Sequence, residues 1–135
     1  APAGRAAPPP SGRRLPRRVE VGGWLDQPFV RFGGRWANIE RVLYGDGEAA
    51  VCLALPEAYA GDLEAGDSGA HQPHPALMDM ATGAAQALIP GFAPAADFYV
   101  PLSYGRVTLH RPLPARLWSH VRYRATGSRD VAGFD

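Results

Sequence analysis

An α+β fold, with an antiparallel sheet gathered around one long central helix, is what this 135-residue sequence predicts. Three observations carry that prediction. A helical pattern over residues 75–89 is apolar or small around most of its circumference. Strand-like runs lie on both sides of it along the chain. Two of them, residues 36–44 and 48–55, flank Gly45-Asp46-Gly47, a composition that supplies positive φ cheaply and so predicts a β-hairpin.

The length suits one domain, and 46% hydrophobic residues are enough for a core. Formal net charge is +1, which argues against nucleic-acid binding driven by bulk charge. All 14 basic residues are arginine, and with abundant alanine this reads as the codon bias of a GC-rich, bacterial genome. The single cysteine, Cys52, excludes an internal disulfide and fits a reducing cytoplasm, the expected location. No apolar run approaches the ~20 residues of a membrane span, and no signal-peptide core is visible at the N-terminus.

Residues 1–18 are rich in Ala, Pro, Gly and Arg, with Pro8-Pro9-Pro10 in the middle, and read as an extended or disordered linker. Such a segment at the start suggests a chain once joined to something upstream. Order is expected from Val19. Pro56 ends the second hairpin strand, and residues 57–73 read as a Gly-rich surface loop. The helix follows, with Pro75 in its first turn and Pro90-Gly91 as its stop. Ala76, Met80, Ala84 and Leu88 form one stripe, beside Leu77, Ala81, Ala85 and Ile89. Small residues at Ala81, Gly83, Ala84 and Ala85 allow close approach of other backbone. Residues 98–111 and 117–126 read as two further strands, and residues 131–135 as the start of another, cut off by the end of the chain.

Asp79 stands out in this pattern. It places a carboxylate near the start of a helix that otherwise looks built for burial, where an acid is costly unless paired or protonated. Such groups are concentrated where chemistry uses them. By position alone it would be an acid stabilised by the helix dipole. His74 reads as a structural residue before the helix. The set His71, His74 and Asp79 is read as chance spacing and not as a metal site. Cys52 lies in an apolar strand pattern without an activating base, and Trp36, Tyr99 and Trp118 read as core or tunnel-lining residues.

Four segments resemble the C-terminal half of a dehydratase domain of a modular type I polyketide synthase. Phe32-Gly33-Gly34-Arg35-Trp36 is similar to that family's Tyr-Gly-Pro-x-Phe, and residues 43–49 with Leu55-Pro56 to its hairpin. His74-Pro75-Ala76-Leu77-Met78-Asp79 matches its His-Pro-Ala-Leu-Leu-Asp motif closely. Residues 99–103 and 111–116 resemble the strands beyond. The resemblance spans residues 29–126 and implies one half of a double hotdog, a curved antiparallel sheet around a long helix.

It further implies removal of water from a 3-hydroxyacyl thioester carried on the phosphopantetheine of an acyl carrier protein, with no other cofactor. A histidine of the other half takes the α-proton, and Asp79 serves the leaving hydroxyl. The histidine's His-x-x-x-Gly-x-x-x-x-Pro motif is absent from this sequence, so the chain alone is expected to be inactive. Phe32, Gly33, Gly34, Thr82, Gly83, Tyr99 and Pro101 are the implied substrate-binding positions. The implied partners are the carrier protein, the N-terminal hotdog, other synthase domains and a second copy in a homodimer, with no nucleic acid or membrane. Two departures stand out. Gly83 lies where the family carries Gln or His one turn after the aspartate, and Phe32 where it carries tyrosine. Thr82 is the candidate substitute donor, since Gln86 lies about 10 Å along the axis. The alternatives are a non-catalytic scaffold or docking hotdog, and an isomerase or cyclase using the same site.

Overall fold

The computed structural model describes residues 18–20, 28–64, 73–128 and 130–135. Within them, β1 (Arg18–Glu20), β2 (Ile39–Tyr44), β3 (Glu48–Ala54), β4 (Arg116–Arg124) and β5 (Gly133–Phe134) form a five-stranded sheet in sequence order. Every neighbouring pair is antiparallel. β1 begins on Arg18, the last residue of the expected linker, and pairs it with Tyr44; the rest of that linker lies outside the described residues.

The hairpin forms where expected. Gly47 takes a φ of +69°, and the Gly45 N–H reaches the Glu48 carbonyl at 2.8 Å. β2, the first strand of the hairpin, starts later than the apolar run, because Gly34–Trp36 forms a 3-10 turn first. In place of one loop, residues 57–64 hold a 3-10 turn (Glu57–Tyr59) and a short helix, α1 (Gly61–Glu64). Of the expected loop, residues 65–72 lie outside the described residues.

The principal helix, α2, runs Pro75–Gly83 and not to Ile89. Its last i→i−4 bond joins the Ala84 N–H to the Met80 carbonyl at 3.2 Å. From Ala85 the chain tightens into a 3-10 turn, Gln86–Leu88, closed by bonds from Leu88 to Ala85 and from Ile89 to Gln86, each 2.9 Å. Two causes act together. Gly83 is a poor helix former. The Gln86 side chain is committed to the Tyr99 backbone, accepting from its N–H at 2.9 Å and donating to its carbonyl at 2.8 Å.

Residues 98–111 correct the expectation of a strand: among the described residues they pair with none of the five. Pro101 has no N–H to donate and Gly105 interrupts the run. Val100, Leu102, Tyr104, Val107 and Leu109 are exposed along it.

The core lies between α2 and the inward face of the sheet. Leu77, Met80 and Ala85 meet Val42, Tyr44, Ala49, Val51, Leu53 and Val121. Leu77 and Leu53 are fully buried, each worth about 1.5–3 kcal/mol of transfer free energy. The alternate positions of β3, Glu48, Ala50 and Cys52, are buried too. Long side chains lie across them: Glu40 meets Arg116, Arg41 stacks 5.2 Å above the Trp118 ring, and His120 holds Glu48 at 2.8 Å. One antiparallel sheet carrying one helix is compatible with the hotdog expectation, with a helix of nine residues in place of a long one.

Candidate functional site

Asp79 lies on the second turn of α2, half-buried. Its Oδ2 accepts a hydrogen bond from the indole Nε1 of Trp36 at 2.7 Å. Trp36 closes the 3-10 turn that follows Gly33, whose carbonyl accepts from the Trp36 N–H at 3.0 Å. The buried side chain of Asn38 fastens this turn to the helix. Its Nδ2 donates to the carbonyls of Arg35 and Ala76, both at 3.0 Å. The turn and the start of α2 are thereby held as one unit, with the carboxylate and the indole on facing elements.

A second polar group supports the start of the helix. His74, buried, reaches Asp62 of α1 through Nε2 at 3.3 Å, while Asp62 takes the Arg35 Nε at 2.6 Å. The Arg35 guanidinium, and after it His74, hold the Asp62 carboxyl below the usual carboxylate range. Arg35 also lies 4.4 Å over the Tyr59 ring. His74 thus has Asp62, and not Asp79, as its carboxylate partner.

A cleft of about 300 Å³ opens beyond Asp79, along the C-terminal end of α2. Thr82, Gly83, Tyr99 and Pro101 line it, together with Gln86 and Tyr104. These four sequence-predicted positions come together. Phe32, Gly33 and Gly34 do not line it: Phe32 packs beside Phe98 with ring centroids 6.4 Å apart, and Gly34 backs onto Tyr59. Asp79 lies about 6 Å along the helix from Gly83 and is not part of the cleft lining.

Thr82 is not the substitute donor. Its Oγ1 donates to the carbonyls of Met78 at 3.1 Å and Asp79 at 3.2 Å, and lies 3.3 Å from the Tyr104 hydroxyl. At Gly83 a β-carbon would meet nothing within 4 Å among the described residues, so the position is open to a side chain on their side. Ser119 faces α2, donating to the Ala81 carbonyl at 2.6 Å. Strand alternation therefore turns the His120 side chain to the opposite face, where it holds Glu48. Burial and the Glu40 hydrogen bond push the Cys52 thiol up from its ordinary range, which leaves it a poor nucleophile.

Sequence reasoning assigned Trp36 to the core or a tunnel wall and did not single out Tyr104. Trp36 and Asp79 are 43 residues apart, and no periodic signal links a 3-10 turn to a helix across that distance.

The arrangement holds a carboxyl group by a hydrogen bond to Oδ2, one helical turn from the cleft lining. Comparison with known proteins bears on what that carboxyl group serves. A family model described as the polyketide synthase dehydratase N-terminal domain matches residues 1–135. No curated protein and no solved structure matches the chain. With the family match covering its whole length, the chain belongs to the polyketide synthase dehydratase family.

Proposed function

We propose that this chain is the half of a dehydratase domain that supplies the aspartate, eliminating water from a 3-hydroxyacyl thioester on an acyl carrier protein. A base removes the α-proton, the Cβ–O bond breaks, and Asp79 delivers a proton to the departing hydroxyl, leaving the 2-enoyl thioester and water. The observation that carries the reading is the Asp79 carboxylate, held by Trp36 at 2.7 Å one helical turn from the cleft that Thr82, Gly83, Tyr99 and Pro101 line. The matched family model is described as an N-terminal domain; the assignment to the C-terminal half rests on the residues. His74 to Asp79 carries the acidic helix motif. None of His71, His74, His110 and His120 is followed by glycine four residues later and proline nine later. The base then belongs to a second hotdog, as does one wall of the site. The synthase context brings the carrier protein and a homodimer, and a cytoplasmic setting follows from it.

One observation favours a non-catalytic scaffold: Gly83 and Phe32 offer no side-chain donor, and Thr82 spends its hydroxyl on backbone carbonyls. Product analysis separates the readings. The two hotdogs together, given a carrier-linked 3-hydroxyacyl substrate and followed by mass, are expected to lose water rapidly. The 135-residue chain alone is expected to release little enoyl product. Unchanged substrate from the pair, with the upstream histidine intact, would support the scaffold. A migrated double bond or a cyclic ether would assign the same site to isomerisation or ring closure.

A further inference from the structure

We propose that Trp36 is the positioning residue of Asp79, replacing from a neighbouring turn the side chain that Gly83 lacks on the helix. The proposal rests on Asp79 acting as the acid. A carboxyl group on a helix rotates about two bonds unless something fixes it. On α2 nothing does so. Thr82 is bound to backbone carbonyls, Gly83 has no side chain, and Gln86 is committed to Tyr99. The donor that reaches the carboxylate comes from the 3-10 turn, at 2.7 Å from Oδ2.

The indole suits this task for three reasons. It is donor only, so it fixes the role of the oxygen it touches. With Oδ2 accepting from Nε1–H, the proton of the acid form resides on Oδ1, the oxygen left to address a substrate. The ring itself is held firmly, packed against the core, with its turn pinned to the Ala76 carbonyl through Asn38. The position is also informative in the sequence. Phe32 to Trp36 resembles a segment that ends in phenylalanine, a side chain with no hydrogen-bond donor. The departure that removes a donor at Gly83 and the departure that adds one at Trp36 meet on one carboxylate.

The test is made in the complete double-hotdog protein, on a carrier-linked 3-hydroxyacyl substrate. Trp36→Phe keeps an aromatic ring and deletes the donor. It is expected to lower kcat roughly 10- to 100-fold with KM unchanged, the signature of a misaligned acid. Adding Gly83→Gln to Trp36→Phe is expected to recover most of that loss, since the position is open. A merely structural tryptophan would not be rescued from the helix. The contact is read independently of turnover in the folded parent. Of the chain's three indole N–H resonances, the one lost in Trp36→Phe should shift in Asp79→Asn. Parental kcat in Trp36→Phe, with Asp79→Asn inactive, would overturn the role of Trp36 and leave Asp79 as the acid. A loss that Gly83→Gln does not rescue, with an indole resonance indifferent to Asp79→Asn, would overturn it as well. Parental kcat in Asp79→Asn would remove the function from the site and this proposal with it.

Discussion

At Gly34 a β-carbon would run into the Tyr59 hydroxyl and press on its ring, over which the Arg35 guanidinium lies at 4.4 Å. At Gly83 it would meet nothing within 4 Å among the described residues. Substitution should therefore act in opposite directions. Gly34→Ala is expected to cost about 1–3 kcal/mol of stability by overpacking, partly restored by Tyr59→Phe. Gly83→Ala is expected to be neutral or to stabilise by up to about 1 kcal/mol, since it restricts the unfolded chain at a helical position. Urea denaturation of Gly34→Ala with and without Tyr59→Phe, and of Gly83→Ala, decides both. A third residue reports through pH. Arg35 and His74 depress the Asp62 carboxyl, so the folded state binds that proton less readily than the unfolded state does. The stability this contributes is present above the ordinary carboxylate range and is lost as pH falls below that range, through the lowered value of the folded state. The gap between the parent and Asp62→Asn in thermal melts should be widest near neutrality and should close below about pH 4. At this scale the sequence made the type and position of Asp79 legible through its motif. The partner was not legible, because the indole arrives from a turn whose placement depends on tertiary packing.

Between residues and fold, Asn38 decides how two elements meet. Its amide bridges the turn that ends in Trp36 and the first turn of α2, and both groups it serves are backbone carbonyls. Asn38→Ala would leave the buried Ala76 carbonyl without that donor and is expected to cost about 1–3 kcal/mol. It should also slow turnover in the complete protein, because the indole and the carboxylate would no longer be held in register. Leu77→Ala, on the buried face of the same helix, is expected to cost about 2–5 kcal/mol through transfer and cavity effects, with the contacts of Asp79 intact. Comparing kcat at matched folded fractions separates the two effects. The hairpin and β4 were readable from alternation and from a glycine at positive φ. The end of the helix was not. Apolar periodicity continues to Ile89, but a side-chain bond from Gln86 to distant backbone turns the chain at Ala85.

For the molecule as a whole, the unequal treatment of its strand-like runs is informative. Residues 117–126 pair with β3 and become β4, whereas residues 98–111 have equal apolar content but no strand partner among the described residues. Apolar alternation specifies a willingness to pair, and the pairing itself needs a neighbour. The sheet's second face is held by ion pairs and stacking over Glu48, Ala50 and Cys52, which buries the chain's single cysteine. The role proposed for Asp79 is that of the acid in a dehydration completed by a second hotdog. Its most direct test is the rate of enoyl-thioester formation by the complete double-hotdog protein and by its Asp79→Asn variant, both folded by circular dichroism. The predicted result is a variant that keeps the fold and loses most of the rate, because an amide cannot deliver the proton the departing hydroxyl takes. Equal rates for the two proteins would contradict the claim.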